Sequence, residues 1–219
     1  MASGLAYKFQ GSQIAVLVDY AASGSPGVAI TGITKASPPV VTSAAHGLTD
    51  GDVVKISGVV GMTEVNAGVF IVNVTAANTF ELLNVDATGY GTYVSGGEFS
   101  EGTLSNWCEL TNYSRTGGTS PEIPRTTICS TAREYVLGLP DYGTTTIDFN
   151  FAPRTTIQTA IQGFYESGNI MAVRVTLPEG GGTLVQLGFV QQTSESAGVD
   201  GLWTGSMTIR NTGAREDFA

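Results

Sequence analysis

Charge, histidine, cysteine and long apolar runs are all scarce in this chain. Charged residues are 13% of its 219 positions, where an ordinary soluble domain has roughly 25%. A surface so thinly charged is neutral and polar, as expected of one that neighbours will cover. Ten Lys and Arg stand against nineteen Asp and Glu, a net charge of −9. That balance argues against a dedicated nucleic-acid binder, which needs clustered cations to displace counterions from phosphates. The single histidine, His46, sits in a His-Gly turn and is expected to be hydrogen-bonded locally. A Ser–His or Cys–His pair with Ser130 or Cys129 would have to draw on it from a distant part of the chain. Two cysteines, Cys108 and Cys129, make neither a disulfide framework nor a metal site; they are expected to be reduced and mostly buried. No run of 18 apolar residues exists, so no helical membrane span is expected. The first residues lack a basic segment followed by an apolar one, and no signal peptide is expected.

Turn formers and alternating apolar residues are abundant. Gly (29) and Pro (8) punctuate a chain that is 42% hydrophobic, which reads as a mainly β protein with many turns. A small N-terminal arm precedes a strand at Gln13–Val18, and residues 21–27, AASGSPG, read as a linker. Between about 28 and 98, short apolar runs alternate with tight turns, predicting a small all-β barrel or sandwich. Residues 116–121 read as a polar loop, and Ile128–Tyr135 as one helical turn capped by Ser130 or Thr131. Thr144–Phe151 alternates most cleanly, with Thr145, Ile147, Phe149 and Phe151 on one face. A helix opening at Pro153 carries the stripe Ile157, Ala160, Ile161, Phe164 and stops at Gly168. Strands follow at 170–177, 184–193 and 202–212, with hairpin loops at 180–182 and 196–201 and a charged tail from Ala214.

The run Thr127–Val136, TICSTAREYV, followed by Gly138–Gly143, GLPDYG, resembles a signature of the major tail tube protein of long-tailed, siphovirus-like bacteriophages. The residues Val41-Thr42, His46-Gly47-Leu48, Gly51-Asp52, Gly61-Met62, Asn66, Thr79-Phe80 and Ser95-Gly96-Gly97 are similar to a module of phage structural proteins. That module is itself likened to a half-domain of ubiquitin-activating enzymes. No cysteine lies between 28 and 97, so the likeness brings no activating chemistry. Together these imply a tail-tube-type antiparallel β-sandwich or barrel with one α-helix, made of residues 1–27 and 99–219. Residues 28–98 are then a small inserted β-domain, placed early where the family places extra domains late, and expected to be removable.

The resemblance implies a structural virion protein and not an enzyme. Its subunits form hexameric rings, stacked around a lumen that conducts DNA without sequence-specific binding, and the insert projects outward. Its partners would be further copies of itself and the tape measure, distal tail and terminator proteins, in a virion tail assembled in the host cytoplasm. No membrane insertion, cofactor, metal or catalytic residue is expected. Thr144, Thr146, Asp148, Asn150, Arg174 and Gln186 are candidates to face the lumen; Tyr7, Phe9, Arg115, Pro121 and Arg125 are candidates to bridge rings. Asp50 and Asp52 flank Gly51 but lack the further ligands of a calcium loop, and a solvated turn is expected. Gly180-Gly181-Gly182 has no Lys-Ser/Thr after it and is no phosphate cradle. The alternative is a secreted or virion-surface β-domain binding host glycan, with Tyr90 and Tyr93 stacking on sugar, although aromatics at a strand end more often pack.

Overall fold

Period-two alternation decides most of the architecture, because successive strand side chains face opposite ways. The computed structural model describes residues 7–20 and 27–219. Residues 1–6 of the expected N-terminal arm and 21–26 of the linker lie outside the described residues. The strands are β1 (Gln13–Tyr20), β2 (Val28–Ala29), β3 (Gly32–Ile33), β4 (Val40–Thr42), β5 (Val53–Val60), β6 (Val69–Ala76), β7 (Thr79–Leu82), β8 (Ser95–Asn106) and β9 (Leu110–Thr116). They continue with β10 (Glu122–Pro124), β11 (Tyr135–Leu137), β12 (Thr144–Asn150), the helix α1 (Thr156–Ser167), β13 (Ile170–Thr176), β14 (Thr183–Ser196) and β15 (Thr204–Phe218). The protein is mainly β, with one α-helix and antiparallel pairing throughout the described residues.

Hydrogen bonding runs in one path, β3-β4-β7-β6-β5-β8-β1-β13-β14-β15-β12-β9, with β2 also against β8 and the pair β10–β11 separate. β8 and β9 stand six steps apart on this path, yet only Trp107, Cys108 and Glu109 separate them in the chain. The crossing is pinned by Trp107 N–H donating to the Ile14 carbonyl and Asn150 N–H to the Glu109 carbonyl. The sheet therefore rolls up, and its interior holds Ile14, Val16, Trp107, Ile147, Phe149, Met171, Met207 and Ile209. The Trp107 and Phe149 rings lie 4.6 Å apart, tilted at 43° to each other. β12 follows its predicted alternation: Thr145, Ile147 and Phe149 are buried, and the residues between them half-buried.

The helix plugs this core with Ile157, Ile161 and Phe164. It starts three residues later than expected, because Pro153 lies in the turn before the cap and Thr155 takes the N-cap position. The Thr155 hydroxyl accepts from Gln158 N–H, and Gln158 in turn bonds the Ala152 N–H and the Asn150 carbonyl. Gly168, at φ 65°, ends the helix in the left-handed conformation.

A second apolar cluster, with Ile56, Met62, Phe80, Leu82 and Phe99, fills β2–β7 and the first half of β8. β8 belongs to both parts: residues 95–101 pair with β5, and 102–106 with β1. Val53 and Ile71 lie in the first cluster, beside Leu17, Ala172 and Val185. Residues 28–98 thus contribute two side chains to the first core. Two expectations are corrected. Residues 128–135 form a bonded turn, with Thr127 N–H donating to the Ser130 hydroxyl, and no helical turn. The charged tail is the end of β15, pairing Glu216, Asp217 and Phe218 with Val185, Leu184 and Thr183.

Candidate assembly surfaces

Between Thr116 and Thr144 the chain leaves the rolled sheet as a hairpin arm. Its root is the bridge between Thr119 and Asp141, and β10 and β11 pair as Glu122–Leu137, Ile123–Val136 and Pro124–Tyr135. The 116–121 stretch, expected as a polar loop, is therefore the end of β9 and the root of this arm. Every residue of β10 and β11 is exposed. Ile128 is fully exposed and Leu139 is 89% exposed, with Ile123, Val136 and Leu137 also in solvent. A two-stranded hairpin is marginal in water by itself, and apolar side chains in one contiguous exposed patch mark an interaction surface. Asp141 holds the root: its carboxylate accepts from Gly143 N–H at 2.9 Å and from Arg210 at 2.6 Å. The bond from Gly143 and then the Arg210 cation hold the Asp141 carboxyl below its ordinary range.

β9 is the end of the strand path: among the described residues it pairs with β12 alone. Its other edge offers unpaired N–H and C=O groups in Leu110–Thr116, with one charge and no proline to blunt it. At its base is an open cleft of about 380 Å³ lined by Phe9, Ile14, Trp107, Cys108 and Leu110, among others. Across β9, β12 and β15, directly paired residues build a polar face. Ser114, Thr146 and Thr208 form one row; Asn112, Asp148 and Ser206 form the next. Hydrogen bonds from Ser206 and Asn112 hold the Asp148 carboxyl below its usual range, so it stays an acceptor inside the face.

At the joint between the two apolar clusters, Arg174 on β13 meets Asp52 at 3.4 Å. Asp52 also accepts from the Thr49 N–H and hydroxyl. Burial, and then the negative charge of Asp52, push the Glu101 carboxyl up, while Arg174 pulls it down. Asn84 donates to the Ala214 carbonyl at 3.0 Å, and the Phe218 ring lies against Gly51.

Residues 37–102 match the family model of the ubiquitin-activating enzyme E1 FCCH domain. The match takes in β4 to β7 and β8 as far as Gly102. A comparison with curated proteins found no match. Among solved structures, a chain from the tail of an empty GTA particle, computed with helical refinement and C6 symmetry, is similar at a TM-score of 0.44 and 12% identity; the likeness covers 53% of this chain and 87% of that chain.

The candidate residues separate into groups. Thr144, Thr146, Asp148 and Asn150 share the polar face. Arg174 does not join them, because Asp52 holds it at the joint. Gln186 is buried, with its amide donating to the Leu187 and Gly213 carbonyls and its oxygen accepting from Arg115. Arg115 is therefore drawn into the body, where its Nε is buried without a partner, whereas Pro121 and Arg125 lie on the arm. Tyr7 and Phe9 are exposed.

The cysteines are exposed, not buried. Cys129 is carried on the arm, and Cys108 follows Trp107, which takes the inward position at the crossing. Asp52 is a buried, bonded carboxylate and not a solvated turn residue. His46 is 7% exposed, accepts from Leu48 N–H through Nδ1, and therefore presents Nε2–H to the Ala76 carbonyl. Tyr93 packs at the rim of the second cluster with its hydroxyl 3.0 Å from the Ile30 carbonyl. Sequence reasoning missed the interior polar group of Arg115, Thr145, Gln186 and Asn211. Its signal was Thr145, a polar residue in the apolar register of β12.

Proposed function

We propose that this chain is a structural subunit of a phage-type tail, a major tail tube protein that assembles as hexameric rings stacked around a DNA-conducting lumen. The observation that carries the reading is the arm: a hairpin with five exposed apolar side chains that the described residues leave uncovered. Burying each in a neighbour is worth on the order of 1.5–3 kcal/mol, which offsets part of the cost of association. The sequence signature that resembles tail tube proteins, residues 127–143, lies on this arm and its root. The unpaired β9 edge supports lateral growth, since a strand of a second copy can extend the sheet there. The low-charge polar face on β9, β12 and β15 suits a lumen wall, because Thr, Ser and Asn side chains hold phosphates weakly. Residues 28–98 meet β13 at Arg174, β14 at Val185 and the far end of β15 at Ala214 and Phe218, away from the rows that end at Ser206 and Thr208, which supports placing them on the outside of the tube.

Negative-stain electron microscopy before and after concentration tests the proposal. The expected images are six-fold rings or hollow tubes with outward knobs. Closed assemblies of another symmetry overturn the hexamer. A chain that stays monomeric when mixed with preformed tail-tip complexes overturns the tube reading.

A further inference from the structure

The arm joins the body through a narrow neck. The chain leaves the sheet after Thr116 and re-enters it at Thr144, where the ladder of β12 with β15 ends at the pair Thr144–Arg210. The two sides of the neck touch backbone to backbone. A Cβ at Gly118 would fall on the Asp141 carbonyl, and one at Gly143 on the Thr116 carbonyl. Asp141 N–H donates to the Thr119 carbonyl at 2.9 Å, and Gly138 N–H to the Pro121 carbonyl at 2.7 Å. Beyond these bonds β10 and β11 pair only with each other and are exposed at every residue.

Asn211 takes over where that ladder stops. It is 5% exposed, and its N–H donates to the Gly143 carbonyl at 3.0 Å. Its side-chain Nδ2 donates to the Tyr142 carbonyl at 3.2 Å, and its Oδ1 accepts from the Thr145 hydroxyl at 3.0 Å. Thr145 is fully buried, so its hydroxyl orients the amide from inside the body. On the outside the Arg210–Asp141 pair spans the same neck, with both side chains partly in solvent. An exposed ion pair constrains little, because water and salt screen it. The buried amide constrains more: without it the Thr145 hydroxyl loses its acceptor in a place water does not reach.

We infer that Asn211 is a positioning residue, which fixes the direction in which the arm leaves the body of the free chain. Bending begins only outward of the Pro121–Gly138 bond, in a two-stranded hairpin that is marginal by itself. Each free copy then presents its arm at one angle, so part of the ordering cost of association is met beforehand. That use of the angle rests on the assembly proposed above. The angle itself belongs to the single chain, so a movable neck and a failure to assemble are separate results.

Distances between paired spin labels, measured on the full-length chain at a dilution where it stays monomeric, test the neck. The native Cys108 and Cys129, both exposed, report the arm tip against the body. In a C129S background, L139C with Cys108 reports the neck, since Leu139 is an exposed side chain beside it. The neck distribution should be narrow and the tip distribution wider. N211L should at least about double the neck width, T145V should widen it less, and R210Q should leave it unchanged. I161V, a truncation in the helix core, should lower the melting temperature without widening the neck, which separates direction from general stability. T145V keeps the test open if N211L does not fold. A wild-type neck as wide as the tip, or no widening in either Asn211 or Thr145 variant, overturns the inference. Widening by R210Q equal to that of N211L also overturns it and gives the role to the ion pair.

Discussion

Single residues hold the arm and the joint in place, and their chemistry sets measurable consequences. Gly143 is at φ +77°, and a Cβ there would fall on the Thr116 carbonyl oxygen. Gly143→Ala should therefore cost about 2 kcal/mol or more in urea unfolding, from strain and clash together. Asp141 has a depressed carboxyl, so its contribution is present above the ordinary carboxylate range and is lost as pH falls below that range, through the lower folded-state value. Glu101 is the opposite case. Its raised carboxyl binds a proton more readily when folded, so ionisation at neutral pH opposes folding. Glu101→Gln should raise the melting temperature slightly at pH 7, by the equivalent of about 0.5 kcal/mol or less after solvent screening. That gain should vanish as the pH falls below the usual carboxylate range; a gain of equal size at low pH would show that charge is not its origin.

At the scale of elements, the helix and the arm make opposite demands. α1 is held by its cap and its apolar stripe, so Thr155→Ala should cost about 1 kcal/mol. Thermal melts of the variant check this directly. The arm contributes little to its own chain, because β10 and β11 pair only with each other and are exposed. Replacing residues 120–139 by a short Gly-Ser turn should change unfolding free energy by about 0.5 kcal/mol or less while abolishing assembly. A large loss of stability on that replacement would mean that the arm folds back onto the body. β8 has the widest role of any strand, since its two halves serve two cores.

For the molecule as a whole, residues 28–98 are tied to the rest of the chain by shared packing as well as by chain connectivity. Val53 and Ile71 share a buried cluster with Leu17, Ala172 and Val185, and Asp52 pairs with Arg174. A 28–98 deletion joined by a short linker should lose about 3 kcal/mol or more of stability, as for several large-to-small core changes made at once. Calorimetry of the deleted chain, with and without Leu17→Thr to relieve the uncovered patch, measures the effect. Full retention of stability would show the module to be an independent decoration.

Much of the fold could be read locally. The alternation in β12, the stripe of α1 and the glycine that stops it, and the dense turns of residues 28–98 are periodic or short-range signals, and each element formed where its pattern lies. The absence of a second histidine likewise limited the catalytic pairs available before any coordinate was known. Other features depend on residues far apart in the chain, which no local pattern carries. Cys108 is exposed because Trp107 is the residue that turns inward at the crossing between β8 and β9. Gln186 and Arg115 meet across strands that lie far apart in the chain, while Arg174 meets Asp52, 122 positions away. The run at 128–135 had local capping residues for a helical turn, but no packed face to sustain one, and became the exposed tip of an arm. Sequence determined the strands, the helix and the low, acidic charge. Tertiary structure decided which polar residues are interior and which apolar ones remain uncovered, because burial is settled by long-range pairing and packing.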